Sequence, residues 1–216
     1  MFHSTLHTNT GAAAPGISDR GLLRGGIVLA LISLIGFGLL YPLAGVGLGQ
    51  LLFPHQARGS LIEAGGQIRG SALVAQPFAA AGYFHPRPSA AGYDPMALAG
   101  SNLAQSNPEL QRRIDSSRTA LAGQEGAAPA AVPGDLLTQS GSGIDPHISP
   151  AAAALQLERV ARTRGLSVEE VGTLLARHTE ARQFGWLGQP RVHVLELNLA
   201  LDALPPAAPE PGTARR

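Results

Sequence analysis

Gly25 to Pro54 reads GGIVLALISLIGFGLLYPLAGVGLGQLLFP, 30 residues without one charged side chain. A helix of about 20 apolar residues already crosses the hydrocarbon core of a bilayer. A buried helix in a small water-soluble domain rarely stays uncharged on every face for so long. The apolar region of a cleaved signal peptide runs to about 7–15 residues, far short of this stretch. A transmembrane helix over residues 25–54 is therefore predicted, and the rest of the chain is read outward from it.

Several residues inside the span are wrong for a mere lipid anchor. Tyr41 carries a hydroxyl that needs a partner, and Pro42 opens the backbone ladder. Gly45 and Gly49 form a G-x-x-x-G pair with Gly47 between them, which lets a neighbouring backbone approach closely. Gln50, near the outer boundary, can hydrogen-bond across helices. These residues predict packing against partner helices. On the N-terminal side, Arg20 and Arg24 abut the span; on the far side the nearest cations are Arg58 and Arg69. That small excess places the N-terminus in the cytoplasm and the larger domain outside it.

The chain has 216 residues, and removing the span and two tails leaves roughly 150, enough for a proper core. The formal net charge of +1 argues against a nucleic-acid partner. Cysteine is absent, which excludes disulfides and thiol chemistry. All 16 basic residues are Arg, so neither a P-loop Lys nor a Schiff-base Lys exists.

The predicted organisation is α+β: a tail over 1–24, the span, an outer domain over 55–202, and a disordered Pro/Ala tail over 203–216. After Phe53, Leu61-Ile62, Ile68 and Leu73-Val74 lie between glycines and predict two or three short strands. Residues 82–110 are rich in Gly, Pro, Asn and Ser but keep Tyr83, Phe84 and Tyr93, so an ordered loop is expected. Asn107-Pro108 opens a helix with Leu110, Ile114 and Leu121 inward. Residues 123–134 read as a linker and Leu136-Leu137 as a strand. Ser149-Pro150 starts a helix that Gly165 stops, and Ser167 to Glu170 is a capping box opening another, burying Val168, Val171, Leu174 and Leu175. RVHVLELNLALD, residues 191–202, alternates and predicts a half-buried strand.

His55, His85, His147, His178 and His193 show no metal-ligand spacing, and no metal site is expected. Ser140, Gly141, Ser142, Gly143, Asp145 and His147 combine hydrolase ingredients, yet triads draw their members from separate loops. A structural glycine loop is the reading preferred here; a membrane-anchored hydrolase using Ser142, Asp145 and His147, or a stand-alone binding module, is the alternative. The loop amides could also cradle an anion beside a helix N-terminus. Phe84, His85, Arg87 and Tyr93 suit a partner-facing loop, since Tyr and Arg favour interfaces.

In order, LLYPLAGVGLGQLLFPHQARGSLI, GYFHPRPSAAGYD, GSNLAQSNPEL, SGSGIDPHISPAAA and RVHVLELNLALD go beyond general patterns. The chain resembles the C subunit (KdpC family) of the bacterial high-affinity Kdp potassium-transporting ATPase, from about residue 25 to residue 202. The resemblance implies an accessory subunit with no catalytic centre and one helix in the inner membrane. Its partners would be a channel-like potassium-binding A subunit, a P-type B subunit that hydrolyses ATP, a small F subunit, and membrane lipid. It implies a periplasmic main domain and a catalytic-chaperone role raising the ATP affinity of the B subunit. ATP with Mg, and potassium, would be handled by the complex, with no cofactor bound by this chain alone. Arg58, Ala181, Gln189 and His193 depart from the usual Asn, Gly, Glu and Asn of that pattern.

Overall fold

The apolar stretch forms one helical rod from Leu22 to Leu52, 31 residues long and with no part buried in the chain's own fold. The computed structural model describes residues 21–204, so most of the predicted 1–24 tail and residues 205–216 lie outside the described residues. The rod comprises α1 (Leu22–Ile35), a π turn (Gly36–Leu40) and α2 (Tyr41–Leu52). Pro42 explains the interruption. It has no N–H to donate, and its ring crowds the turn before it, so the ladder widens at that point. Phe53 leaves helical geometry at φ −136°, and the short α3 (Pro54–Ala57) follows. This first compact unit ends at Ala57, and a second begins at Arg58.

The second unit opens with β1 (Leu61–Ala64) and β2 (Gln67–Ser71), an antiparallel pair with a bulge at Ile62/Glu63. Leu73-Val74, expected as a third strand, forms a turn: the Ser71 hydroxyl accepts from Leu73 N–H and donates to the Gly59 carbonyl. Residues 72–107 then run without a regular element. Asn107 caps α4 (Pro108–Glu125), accepting from Glu109 N–H at 2.9 Å, and Gly126 ends it at φ +66°.

The linker expected over 123–134 is absent. Glu125 belongs to α4, a 3-10 turn spans Pro129–Ala131, and Val132 is buried in the core. Leu136-Leu137 is not a strand either but the end of a single helical turn, α5 (Gly134–Leu137), with both leucines buried. β3 (His147–Ile148) leads into α6 (Pro150–Arg164), capped by Ser149 and closed by Gly165 at φ +67°. α7 (Val168–Arg177) starts at the complete Ser167/Glu170 capping box. It buries Val171 and Leu175, with Leu174 packed on the core, whereas Val168 stays exposed at its first turn.

β4 (Thr179–Glu180) and β5 (Arg191–His193) complete a three-stranded antiparallel sheet in the order β3-β5-β4. Only three residues of the predicted 191–202 strand are strand. His193 caps a helix, α8 (Val194–Asp202), its Nδ1 accepting from Glu196 N–H at 3.2 Å. Val194, Leu197, Asn198 and Leu201 follow the three-and-four spacing of a helix face, and all are buried. Leu, Glu and Ala favour helix, and the segment after Val194 has no β-branched residue. Propensity outweighed alternation. Leu204, assigned to the tail, packs against the core beyond the end of α8. The fold is thus α+β, with Phe84 from the long loop fully buried among the helices' side chains.

Candidate functional site

Two stretches singled out separately in the sequence meet in space: the loop from Tyr83 to Tyr93 and the glycine loop from Ser140 to His147. Arg87 Nη1 donates to Asp145 Oδ2 at 3.0 Å, and Ser140 N–H donates to the Pro88 carbonyl at 3.1 Å. The Ser89 hydroxyl donates to the Gly143 carbonyl and accepts from Ala91 and Tyr93 N–H. Tyr93 Oη donates to the Arg87 carbonyl at 2.9 Å, and burial pushes its phenol pKa up. Gly143, at φ +79°, is the position that demands glycine: a Cβ there would lie 2.8 Å from both Ala91 Cβ and the Ala99 carbonyl.

Phe84 and His85 are held as a strand would be, but by side-chain amides. Asn198 accepts from Phe84 N–H and donates to its carbonyl, both at 2.9 Å. Gln156 accepts from His85 N–H at 2.7 Å and donates to its carbonyl at 3.1 Å. Arg159 donates to the Ala81 and Tyr83 carbonyls and to Gln156 Oε1, while its Nε meets both Glu125 oxygens at 2.9 and 3.0 Å. Arg164 sits 4.6 Å over the Tyr83 ring and pairs with Asp202, which also accepts from Tyr83 Oη. His85 is held below its ordinary pKa by burial, with its Nε2 3.2 Å from the Ala80 carbonyl.

Gln156, Arg159, Asn198 and Glu125 were not singled out in the sequence. The available signal was their position: Gln156 and Arg159 fall on the same face of α6 as Ala152, Ala153 and Val160. Polar side chains on an apolar face mark a buried network. Beside this clamp, His85, Pro86, Pro88, Tyr93, Phe78 and Leu121 line a groove of about 360 Å³. Elsewhere on the unit, Met96, Leu98, Phe184 and Trp186 are exposed.

The hydrolase ingredients do not assemble. Ser142 Oγ accepts from Ile144 N–H, and Ser140 Oγ from Asp145 N–H, both within their own turn. Among the described residues no hydrogen bond joins a serine to His147, whose ring instead lies edge-on to His193 at 5.2 Å. Burial pushes the Asp145 carboxyl up, but the His147 imidazole and backbone N–H, with the Arg87 guanidinium, outweigh it and bring it down to about 2. Burial also lowers His193, whose Nε2 lies 3.1 Å from the Ala72 carbonyl. Next to the candidate anion cradle, two amides already meet carboxylates of the chain itself. Asp135 accepts from Ser149 N–H at 2.7 Å and from its hydroxyl at 3.1 Å, and Asp145 accepts from His147 N–H. No group of three or more potential metal ligands occurs among the described residues.

In the first unit, Tyr41, Pro42, Gly45 and Gly49 lie along one exposed helical rod, and Gln50 follows within α2. A Cβ at Gly45, Gly47 or Gly49 would meet nothing within 4 Å.

The family model described as "KdpC: K+-transporting ATPase, c chain" matches residues 23–203, both units of the structure. Similar proteins named potassium-transporting ATPase KdpC subunit include one from Xanthomonas campestris pv. campestris, 58% identical over 86% of this chain and 89% of that protein. Another, from Methylococcus capsulatus, is 52% identical over 82% of this chain and 95% of that protein. A third, from Kineococcus radiotolerans, is 47% identical over 85% and 94%. With a helix fit to cross a bilayer, a packed α+β unit after it and this match along nearly its whole described length, the chain belongs to the KdpC family, the c chain of K+-transporting ATPases.

Proposed function

We propose that the chain is the non-catalytic accessory subunit of an ATP-driven, high-affinity potassium uptake complex. It assembles in the inner membrane with a channel-like potassium-binding A subunit, a P-type B subunit that hydrolyses ATP, and a small F subunit. The family match over residues 23–203 carries this reading, because it covers the helix and the outer unit together. Family membership bears on the whole assembly, whereas a site grafted on a fold would match only locally.

The N-terminus is cytoplasmic and the main domain periplasmic, supported by Arg20 and Arg24 close before the span, against Arg58 close after it with Arg69 farther off. The complex, and not this chain alone, handles ATP with Mg and potassium. Beside the α6 N-terminus, the His147 and Ser149 amides, which a phosphate would also use, are taken by Asp145 and Asp135. As a catalytic chaperone the subunit raises the ATP affinity of the B subunit. That effect passes through or around the uncharged helix, since nucleotide and outer domain face opposite sides of the membrane. The long loop presents His85, Arg87 and Tyr93 to a partner subunit; Phe84, expected on that face too, is buried in the core and anchors the loop instead, with its backbone fixed by Gln156, Arg159 and Asn198. A preorganised loop gives up little entropy on docking.

The test is growth at limiting potassium in a host lacking its own c chain. The wild-type chain restores growth. A variant with Ser142, Asp145 and His147 all replaced by Ala restores it as well if the variant accumulates to wild-type level. Loss of growth at that level would return the loop to catalysis.

A further inference from the structure

The π turn, together with Pro42, leaves the Phe37 carbonyl without its helical partner. Tyr41 N–H donates to the Gly36 carbonyl, five residues back, where a regular α-helix would give it to Phe37. The next donor along the ladder that could reach the Phe37 carbonyl is position 42, and Pro42 has no N–H. Phe37 has therefore lost both backbone donors. It lies near the middle of the 31-residue rod, where hydrocarbon offers no substitute. The neighbours on either side, Gly36 and Gly38, carry no side chain to cover it. A Cβ at Gly36 would meet nothing within 4 Å, and one at Gly38 only Leu34 Cδ1 at 3.4 Å.

We propose that the Phe37 carbonyl accepts a hydrogen bond from a donor side chain on a partner membrane helix, and that Pro42 keeps this carbonyl free to do so. The partner is identified by chemistry: a helix presenting a Ser, Thr, Asn, Gln or Tyr donor at the depth of the π turn. Lipid tails carry no donor. Gly38, Pro42, Gly45 and Gly49 follow at spacings of four, three and four residues, one helix face that admits a close backbone. An acceptor buried in hydrocarbon makes the contact directional, which a stripe of small residues alone does not. The proposal rests on the subunit reading above and adds where, and by which atom, the helix is held.

The experiment reads that one carbonyl. The full chain is produced with phenylalanine isotope-labelled at its carbonyl, and subtracting the infrared spectrum of Phe37→Leu, which keeps the carbonyl but not the label, isolates position 37. In the purified complex the band sits at a hydrogen-bonded frequency; in the isolated chain in detergent it sits at the free-carbonyl frequency. Pro42→Ala lets the ladder return to α-helical register, in which Tyr41 N–H donates to Phe37, so the isolated chain then shows the bonded frequency. Its association with the partner subunits weakens by about 3- to 30-fold, the range for one interhelical hydrogen bond, while carbonate-resistant membrane insertion is kept. A free-carbonyl band in the intact complex overturns the proposal and leaves the subunit reading standing, as does wild-type association of Pro42→Ala. A bonded band in the isolated wild-type chain assigns the carbonyl to water and overturns it as well. A wild-type chain that purifies without partners sinks both.

Discussion

Glu125 and Arg159 form the most buried ion pair among the described residues, with side chains 1% and 5% exposed. Removing one partner of such a pair strands the other charge and typically costs about 3–5 kcal/mol. Glu125→Gln should therefore lower the thermal unfolding midpoint of the detergent-solubilised chain sharply, while a surface exchange such as Asp115→Asn should barely move it. Asp145 sets a pH dependence. Its folded pKa of about 2 lies below the ordinary 3.8, so its contribution is present above about pH 4 and is lost as pH falls toward 2. Asp145→Asn should be less stable than wild type at neutral pH, and acid titration should bring the two curves together near pH 2. At this scale the sequence was half legible. Asn107, Ser149 and Ser167 announced their caps, because capping is a local bond. Gln156, Arg159 and Asn198 did not announce theirs: their partners lie 71 to 114 residues away.

Elements were legible where local and tertiary forces agreed. Ser149-Pro150 and Gly165 bracket α6 as expected, and Ser149→Ala should cost about 1 kcal/mol by urea unfolding in detergent. α8 was misread because leucine at every second position mimics a strand, whereas the buried set is 194, 195, 197, 198 and 201, a helix face that leaves Leu199 out and takes Asn198 in. The 123–134 stretch looked like a linker because Ala and Pro give no periodicity, yet Glu125 and Val132 are anchored by burial. The apolar rod was plain from composition alone; the π turn within it follows from Pro42. On that rod, Gly45→Leu together with Gly49→Leu fills the space a neighbouring backbone would use. Carbonate extraction should show normal insertion, and pull-down should recover less of the partner subunits. Full recovery would make the helix a plain anchor.

The whole molecule divides at Ala57 into an apolar rod and a packed α+β unit, and the family match spans both. The chain is a KdpC-family subunit of a potassium-transporting ATPase; on the reading proposed above, its helix face and its long loop are the surfaces that meet partners. Sequence alone pointed to the family because the FHPRPSA and SGSGIDPHISPAAA blocks stand in order. It could not show that these blocks touch. The Arg87–Asp145 pair, 58 residues apart, appears only in the fold. Co-purification of the tagged full chain from membranes in mild detergent tests the central claim most directly. The expected result is a stable complex with a P-type ATP-hydrolysing subunit and a channel-like subunit; a chain that purifies alone, folded and inserted, would not be an accessory subunit.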